Sequence, residues 1–298
     1  MHFIITASAL LLSILPSSLA YYTGFNIAAN KPDGSCRSQS EWESAFTQQR
    51  NMPQGFATVR LYASSDCDTL ANAVPAALAT DTYILAGVWT EDSSHYEAEK
   101  QALLNAINTY GYSWLIGVSV GSEDLYRSQS QNTGETTPST LAQQIYDVRG
   151  MLTTVGISSG SIPIGHVDTW TAWVDSQNTE VIAACDFVGT DGYPYWQSTS
   201  ISDAATTFWD SVNDVRSAVD AAHPGIWVWI TETGWPVSGD AEGAATPSTE
   251  NLQSYWKSVG CQAFDSAHTF WYTLDDWNAS PSFGVIGEDG EALIDFTC

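Results

Sequence analysis

Positive charge is scarce in this 298-residue sequence: 9 Lys plus Arg stand against 34 Asp plus Glu, a formal net charge of −25. Such a surface repels polyphosphates, which excludes nucleic acid as an expected partner. Histidine is nearly as rare. His2, His95, His166, His223 and His268 are scattered and form no His-x-x-x-His pair, so no metal and no cofactor is expected. His166 and His268 read as hydrogen-bonded groups on strands. The one pronounced apolar run, Phe3 to Leu15, is too short to span a bilayer comfortably, since a span takes about 20 residues. No apolar tail precedes Cys298, so no lipid anchor is expected. Internal repeats, long linkers and low-complexity tracts are also missing, which leaves a single domain over 21–298.

Cysteine is sparse and odd in number. Five positions (36, 67, 185, 261, 298) allow at most two disulfides and leave one thiol over. Cys36 and Cys67 follow consecutive early strands and are placed to staple their loops. Cys261, after an expected helix, and Cys298 form the other candidate pair, tying down the C-terminus. Cys185 sits in the apolar run 181–188 and is the expected odd thiol, buried and inert.

Residues 1–20 have the form of a secretory signal. An apolar core precedes the small residues Ser18-Leu19-Ala20, although only His2 gives the start any positive character. Secretion to the medium or a cell wall is the expectation, and disulfides suit that compartment. Aromatics are plentiful, with 13 Trp and 13 Tyr. Their flat faces suit the C–H faces of neutral sugars, and many of the rings are expected to be core. The sequon Asn278-Ala279-Ser280 also fits secretion, but Pro281 after it disfavours glycosylation.

A short apolar run, a polar loop and a helical stretch recur along the chain. Strands are expected at 23–29, 56–62, 82–89, 114–120, 162–168, 187–191, 226–231 and 269–274. Helices are expected at 40–53, 68–79, 96–110, 138–155, 175–184, 202–222 and 248–260. Eight strands alternating with helices close most simply as a parallel (β/α)8 barrel in the α/β class.

In such a barrel the loops after the strands build the active face. This sequence assigns to it Tyr62, Trp89, Glu123, Asp168 with Trp170, and Tyr193, Tyr195 and Trp196. Glu232 with Trp235 and Asp275 with Trp277 complete the set. Together they outline an open cleft of rings and acids with no phosphate cradle and no basic partner. Two of the acids end buried strands: Trp114–Val120 runs into Gly121-Ser122-Glu123-Asp124, and Ile226–Thr231 runs into Glu232. Paired carboxylates on separate strands are what glycoside hydrolysis requires, one to protonate the leaving oxygen and one to attack the sugar or activate water.

Val228-Trp-Ile-Thr-Glu-Thr-Gly-Trp-Pro236 resembles the signature of glycoside hydrolase family 17, the β-1,3-glucanases. Val120-Gly-Ser-Glu-Asp-Leu-Tyr-Arg127 is similar to that family's acid/base motif as its fungal branch carries it. The likeness runs from about Tyr22 to Cys298. It implies the same (β/α)8 fold, Glu232 as nucleophile and Glu123 as acid/base, and retaining, endo-type cleavage of β-1,3-glucan by a monomer. A retaining pair calls for carboxyls about 5–5.5 Å apart. Glu123 must then keep its proton through burial or the nearby Glu232 charge, and Glu232 needs donors such as Tyr193 or Tyr195. Tyr62, Trp89, Ser122, Asp124, Asp168, Tyr193, Tyr195, Trp235 and Asp275 are the expected sugar-binding residues.

Two positions depart from the wider family. Ser122 stands where plant members carry Asn, and Trp271 stands where many relatives carry Glu, so that Glu's role is not carried over. Transfer of the glycosyl group to a second glucan chain, an activity of fungal relatives, stays open beside hydrolysis. An inactive, glucan-binding barrel is the reading from another class, and the presence of both carboxylates argues against it.

Overall fold

The computed structural model describes residues 21–132 and 136–298. The expected signal at 1–20 lies outside them. Eight parallel strands close into a barrel in sequence order: β1 Thr23–Asn26, β2 Thr58–Arg60, β3 Tyr83–Val88, β4 Leu115–Ser122, β5 Ile164–Thr169, β6 Phe187–Asp191, β7 Trp227–Glu232 and β8 Thr269–Trp271. Closure is made where β8 meets β1, with Thr23 beside Thr269 and Phe25 beside Trp271.

The main helices lie between the strands: α1 Gln39–Arg50, α2 Thr69–Thr80, α3 Ser93–Tyr110, a single turn α4 Asp124–Tyr126, α5 Pro138–Thr154, α6 Trp170–Trp173, α7 Thr179–Ala184, α8 Ala204–Ala222, α9 Thr249–Tyr255 and α10 Cys261–Ser266. Their starts are written in the sequence. The Glu41 carboxylate takes the Ser38 backbone N–H at 2.8 Å in front of α1. Thr137 accepts from Thr140 N–H at 3.1 Å with Pro138 opening α5. The helix expected at 248–260 continues to Ser266 through a wider turn at Trp256–Gly260, so Cys261 lies inside this helical stretch rather than after it.

Two apolar regions hold the barrel together. Leu85, Ile116, Phe187, Trp229 and Phe270 come from five different strands and touch one another, which only inward-facing side chains can do. Phe187 and Trp229 stack at 4.2 Å within this plug. The larger region lies between the strands' outer faces and the helices. Trp271 belongs to it, packed on Trp256 at 5.0 Å, so the position where relatives carry Glu is core here.

Both expected disulfides are present, Cys36–Cys67 and Cys261–Cys298, and Cys185 is free and buried. Burial pushes the Cys185 thiol up to about 12, which keeps it an unreactive thiol. No described helix is long and apolar enough to cross a membrane.

Candidate active site

The two strand-end glutamates are re-aimed by the same device. Between β6 and β7 the register passes from Thr190–Ile230 to Asp191–Glu232, so β7 holds one extra residue, Thr231. Between β4 and β5 it passes from Ser119–Gly165 to Ser122–Val167, one extra residue on β4. Each irregularity falls just before the glutamate and breaks the strict inward–outward alternation, as a bulge does. The backbone then turns sharply after β4: Gly121 has φ +76°, and a Cβ there would meet Asp124 Oδ2 at 2.2 Å. Glu123 itself is left-handed, at φ +58°.

These turns bring Glu123 and Glu232 together with Asp191 from the end of β6. One carboxyl oxygen of each lies within 4.8 Å of the other two. An approach this close is compatible with the separation of about 5–5.5 Å that lets one carboxyl attack the sugar directly.

The environments of Glu123 and Glu232 differ. Glu232 is buried, and Arg60 at the end of β2 donates to its Oε1 at 2.5 Å. Tyr193 donates to Oε2 at 2.6 Å. Arg60 is held in turn by Asn26 Oδ1 and Ser122 Oγ, both at 2.9 Å. Asn26 spans the barrel mouth, donating to the carbonyls of Thr231 and Phe270 at 2.9 and 3.0 Å. A pair so buried is supported by the further hydrogen bonds that Asn26, Ser122 and Tyr193 make to it. Glu123 has the opposite setting: no described residue donates a hydrogen bond to its carboxyl. Burial first, then the charges of Glu232 and Asp168, push it up to about 8. One carboxyl thus sits against a guanidinium and a phenol, while burial and neighbouring charge favour the proton on the other.

Two adjoining hollows of about 500 and 510 Å³ meet at Glu123, Tyr193 and Trp196. Tyr62, Trp89, Ser122, Glu232 and Asp275 line the first, with Tyr272 and Phe283. Trp170, Thr169, Tyr126 and Gln197 line the second. Trp89 lies under the Arg127 guanidinium at 4.8 Å, and Asp275 takes Arg37 at 2.6 Å. Another hollow, of about 580 Å³, opens beside the start of β7 at the opposite end of the barrel and holds a single carboxylate, Asp220.

Four of the nine expected sugar-binding residues do not reach the cleft. Asp124 is buried, accepting Ser122 N–H at 2.7 Å and the Thr90 hydroxyl, and so holds the loop that carries Glu123. Asp168 is buried under the same loop, taking Leu125 N–H at 2.9 Å and pairing with His166 at 2.9 Å. Tyr195 points its hydroxyl at the Asp240 carbonyl, 2.7 Å away. Trp235 is enclosed, its ring N–H on the Thr246 carbonyl at 3.0 Å. In each case a loop folds back over the side chain, which strand-end position alone does not reveal.

The expectation of no basic partner fails at Arg60. Its signal was present: a lone arginine inside the apolar run Phe56–Tyr62 has to find a buried counter-charge. Asn26 and Asp191 join the site as well, each a polar group at the end of an apolar run.

Two groups of side chains have the composition of a cation site. In Asp66, His95 and Glu99, the Glu99 carboxylate already accepts from Ser64 N, Ser65 N, the Ser65 hydroxyl and Trp89 N. In Glu123, Asp191 and Glu232, Arg60 and Tyr193 take the Glu232 oxygens. Protein donors thus occupy Glu99 in the first set and Glu232 in the second.

Residues 24–288 match the model of the BtgE/BtgC glycoside hydrolase domain. The chain is 44% identical to a probable glucan endo-1,3-β-glucosidase of Aspergillus oryzae, the match covering 95% of this chain and 64% of that protein. It thus spans somewhat less than two thirds of that relative's length. To a glucan 1,3-β-glucosidase of Saccharomyces cerevisiae it is 34% identical, covering 86% of this chain and 80% of that one. A glycoside hydrolase family 17 β-1,3-glucanosyltransferase from Rhizomucor miehei has the same fold, with TM-score 0.78 at 25% identity over 93% of this chain and 99% of that chain.

Proposed function

The chain belongs to the BtgE/BtgC glycoside hydrolase family, and from that premise we propose that it hydrolyses β-1,3-glucosidic bonds within β-1,3-glucan, with retention of configuration. The observation that carries this reading is the close approach of Glu123 and Glu232 in opposite electrostatic settings. Glu232, anionic against Arg60 and Tyr193, attacks the anomeric carbon. Glu123 gives its proton to the departing glycosidic oxygen, which leaves with the bonding pair. A glycosyl ester on Glu232 results. Glu123, now a carboxylate, removes a proton from the incoming water as that water attacks the same carbon and the ester bond breaks.

A cleft running to both sides of Glu123, rather than a closed pocket, supports cleavage within a chain. The names of the two relatives, both glucosidases of 1,3-β-glucan, support the substrate. Two disulfides and the form of residues 1–20 support action outside the cell or in a wall. The catalytic groups all come from one chain, so a monomer suffices.

Transfer to a second glucan is the alternative that a specific observation favours. The hollows on the two sides of Glu123 are nearly equal in volume, and the Rhizomucor miehei protein is named a glucanosyltransferase.

Incubation with reduced-end laminari-oligosaccharides at low and high concentration tests both. Only shorter products at each concentration mean hydrolysis. Longer products that persist at low concentration mean transfer, and no product from the intact protein leaves a glucan-binding role. Glu232→Gln is expected to lower turnover on laminarin by about 10⁴-fold or more; near-normal turnover would remove Glu232 as nucleophile.

A further inference from the structure

Asp191 is a third carboxyl at the barrel mouth that the double displacement does not itself use. It ends β6 and is 2% exposed. Its Oδ1 accepts the Thr231 hydroxyl at 2.8 Å, while Oδ2, also buried, has no partner among the described residues. One of its oxygens is within 4.8 Å of both Glu123 and Glu232.

The groups that act on Asp191 come from four strands. Glu232 and Thr231 belong to β7, Glu123 follows β4, Arg60 ends β2 with Tyr62 after it, and Tyr193 follows β6. Asp168 on β5 acts on Glu123. Arg60 is the cation in contact with this cluster, and its Nη1 is spent on Glu232 and Asn26. Arg127, the other nearby cation, is engaged by Glu91 at 2.7 Å and the Ser122 carbonyl at 2.5 Å. Two buried carboxyls and a half-buried one against one guanidinium do not all ionise. Burial, then the Glu232 charge, hold Asp191 well above the usual carboxylate range.

We propose that Asp191 is a positioning residue that keeps its own proton throughout the cycle and directs that O–H at Glu123, supporting the Glu123 carboxylate while the glycosyl ester exists. The inference rests on the double displacement of Glu232 and Glu123 set out above. When the ester forms, the charge on Glu232 is lost and a charge appears on Glu123, whose carboxyl has no donor among the described residues. Oδ2 of Asp191 is a buried polar atom with no partner among the described residues, on a carboxyl that has an oxygen within 4.8 Å of Glu123. Asp191 transfers no proton: Glu123 loses one to the leaving oxygen and regains one from the incoming hydroxyl, and the Asp191 O–H only donates a hydrogen bond.

Infrared difference spectra of the full chain at pH 6, Glu123→Gln against Glu123→Gln/Asp191→Asn, test the proton directly. The single variant should show a protonated carboxylic C=O stretch that the double variant lacks. Kinetics with an activated aryl laminaribioside, whose good leaving group makes the second step limiting, test the role. Asp191→Asn keeps a neutral donor and should retain kcat within about threefold. Asp191→Ala should lose about 10- to 100-fold in kcat with a lower KM, as a lost hydrogen bond to a charged group predicts.

An ionised Asp191 in the spectra, or an Asn variant as slow as the Ala variant, would overturn the inference. Should Asp191→Ala not fold, the Asn variant and the spectra still decide. If the wild-type protein cleaves no glucan, it is the functional reading that fails, and the infrared band still reports whether Asp191 holds a proton.

Discussion

Arg60 Nη1 and Glu232 Oε1 stand 2.5 Å apart on strands three places away from each other around the barrel, and both side chains are almost wholly buried. The pair is the electrostatic centre of the cleft, because it sets the guanidinium in contact with this cluster against the Glu232 carboxylate.

Removing the cation strands that anion. Arg60→Met should destabilise the fold by about 3–5 kcal/mol at neutral pH, as breaking a buried pair does. Urea unfolding measures it. Arg60→Met/Glu232→Gln should regain a large part of the loss, since no buried charge is then left unpaired. Equal destabilisation in single and double variants would mean that Arg60 acts by packing alone.

Glu123 makes stability fall as pH rises. Below the ordinary carboxylate range, folded and unfolded chains both hold its proton, and it contributes nothing to the difference. Between about 4.5 and about 8 the unfolded chain has released the proton while the folded chain keeps it, so unfolding is favoured progressively, and above about 8 the effect is constant. Glu123→Gln, neutral at every pH, should match wild-type stability at pH 4 and exceed it by about 1–3 kcal/mol at pH 8. Equal stabilities at pH 8 would contradict a proton held by burial. In the wild type, kcat/KM should decline as pH passes about 8, where the acid is lost.

Two tryptophans near the cleft should respond in opposite ways. Trp196 is 53% exposed at the junction of the two hollows. Trp196→Ala should weaken binding of long laminari-oligosaccharides by about two- to tenfold with little change in unfolding, the scale of one stacking contact. Trp235 is enclosed, and Trp235→Ala should cost about 3–5 kcal/mol of stability. Isothermal titration on a Glu232→Gln background and denaturant unfolding separate the two effects.

The Cys261–Cys298 bridge closes a segment spanning a sequence separation of 37, holding the C-terminal stretch whose Phe296 packs on Trp256 at 5.0 Å. Cys261→Ser/Cys298→Ser should lower stability by about 2–4 kcal/mol. Cys185 should stay unreactive toward a thiol reagent until the protein unfolds; a fast reaction in the native state would contradict its burial.

The alternation of apolar runs and helical stretches made the eight strands and their order legible, because a parallel strand covered on both faces is a continuous apolar run. Strand lengths were less so: the run 56–62 yields only Thr58–Arg60, and 269–274 only Thr269–Trp271. Side-chain character persists past the point where the ladder hydrogen bonds stop.

What the sequence determined by itself is the barrel, the paired glutamates at two strand ends and the cysteine pairs, since each follows from the local character of a run and its end. The tertiary structure alone decided which residue faces the cleft. A one-residue irregularity on β4 and on β7 turns Glu123 and Glu232 onto one axis, and no period-two pattern records such a shift. It also decided that Arg60, from a strand far away in sequence, meets Glu232, that Asp191 joins the acids, and that Asp124, Asp168, Tyr195 and Trp235 serve the loops beneath. A charge in a dry site is compensated by whichever group lies nearest in space. Nearness in space is set by the closure of the barrel, which brings β2 and β7 to the same mouth.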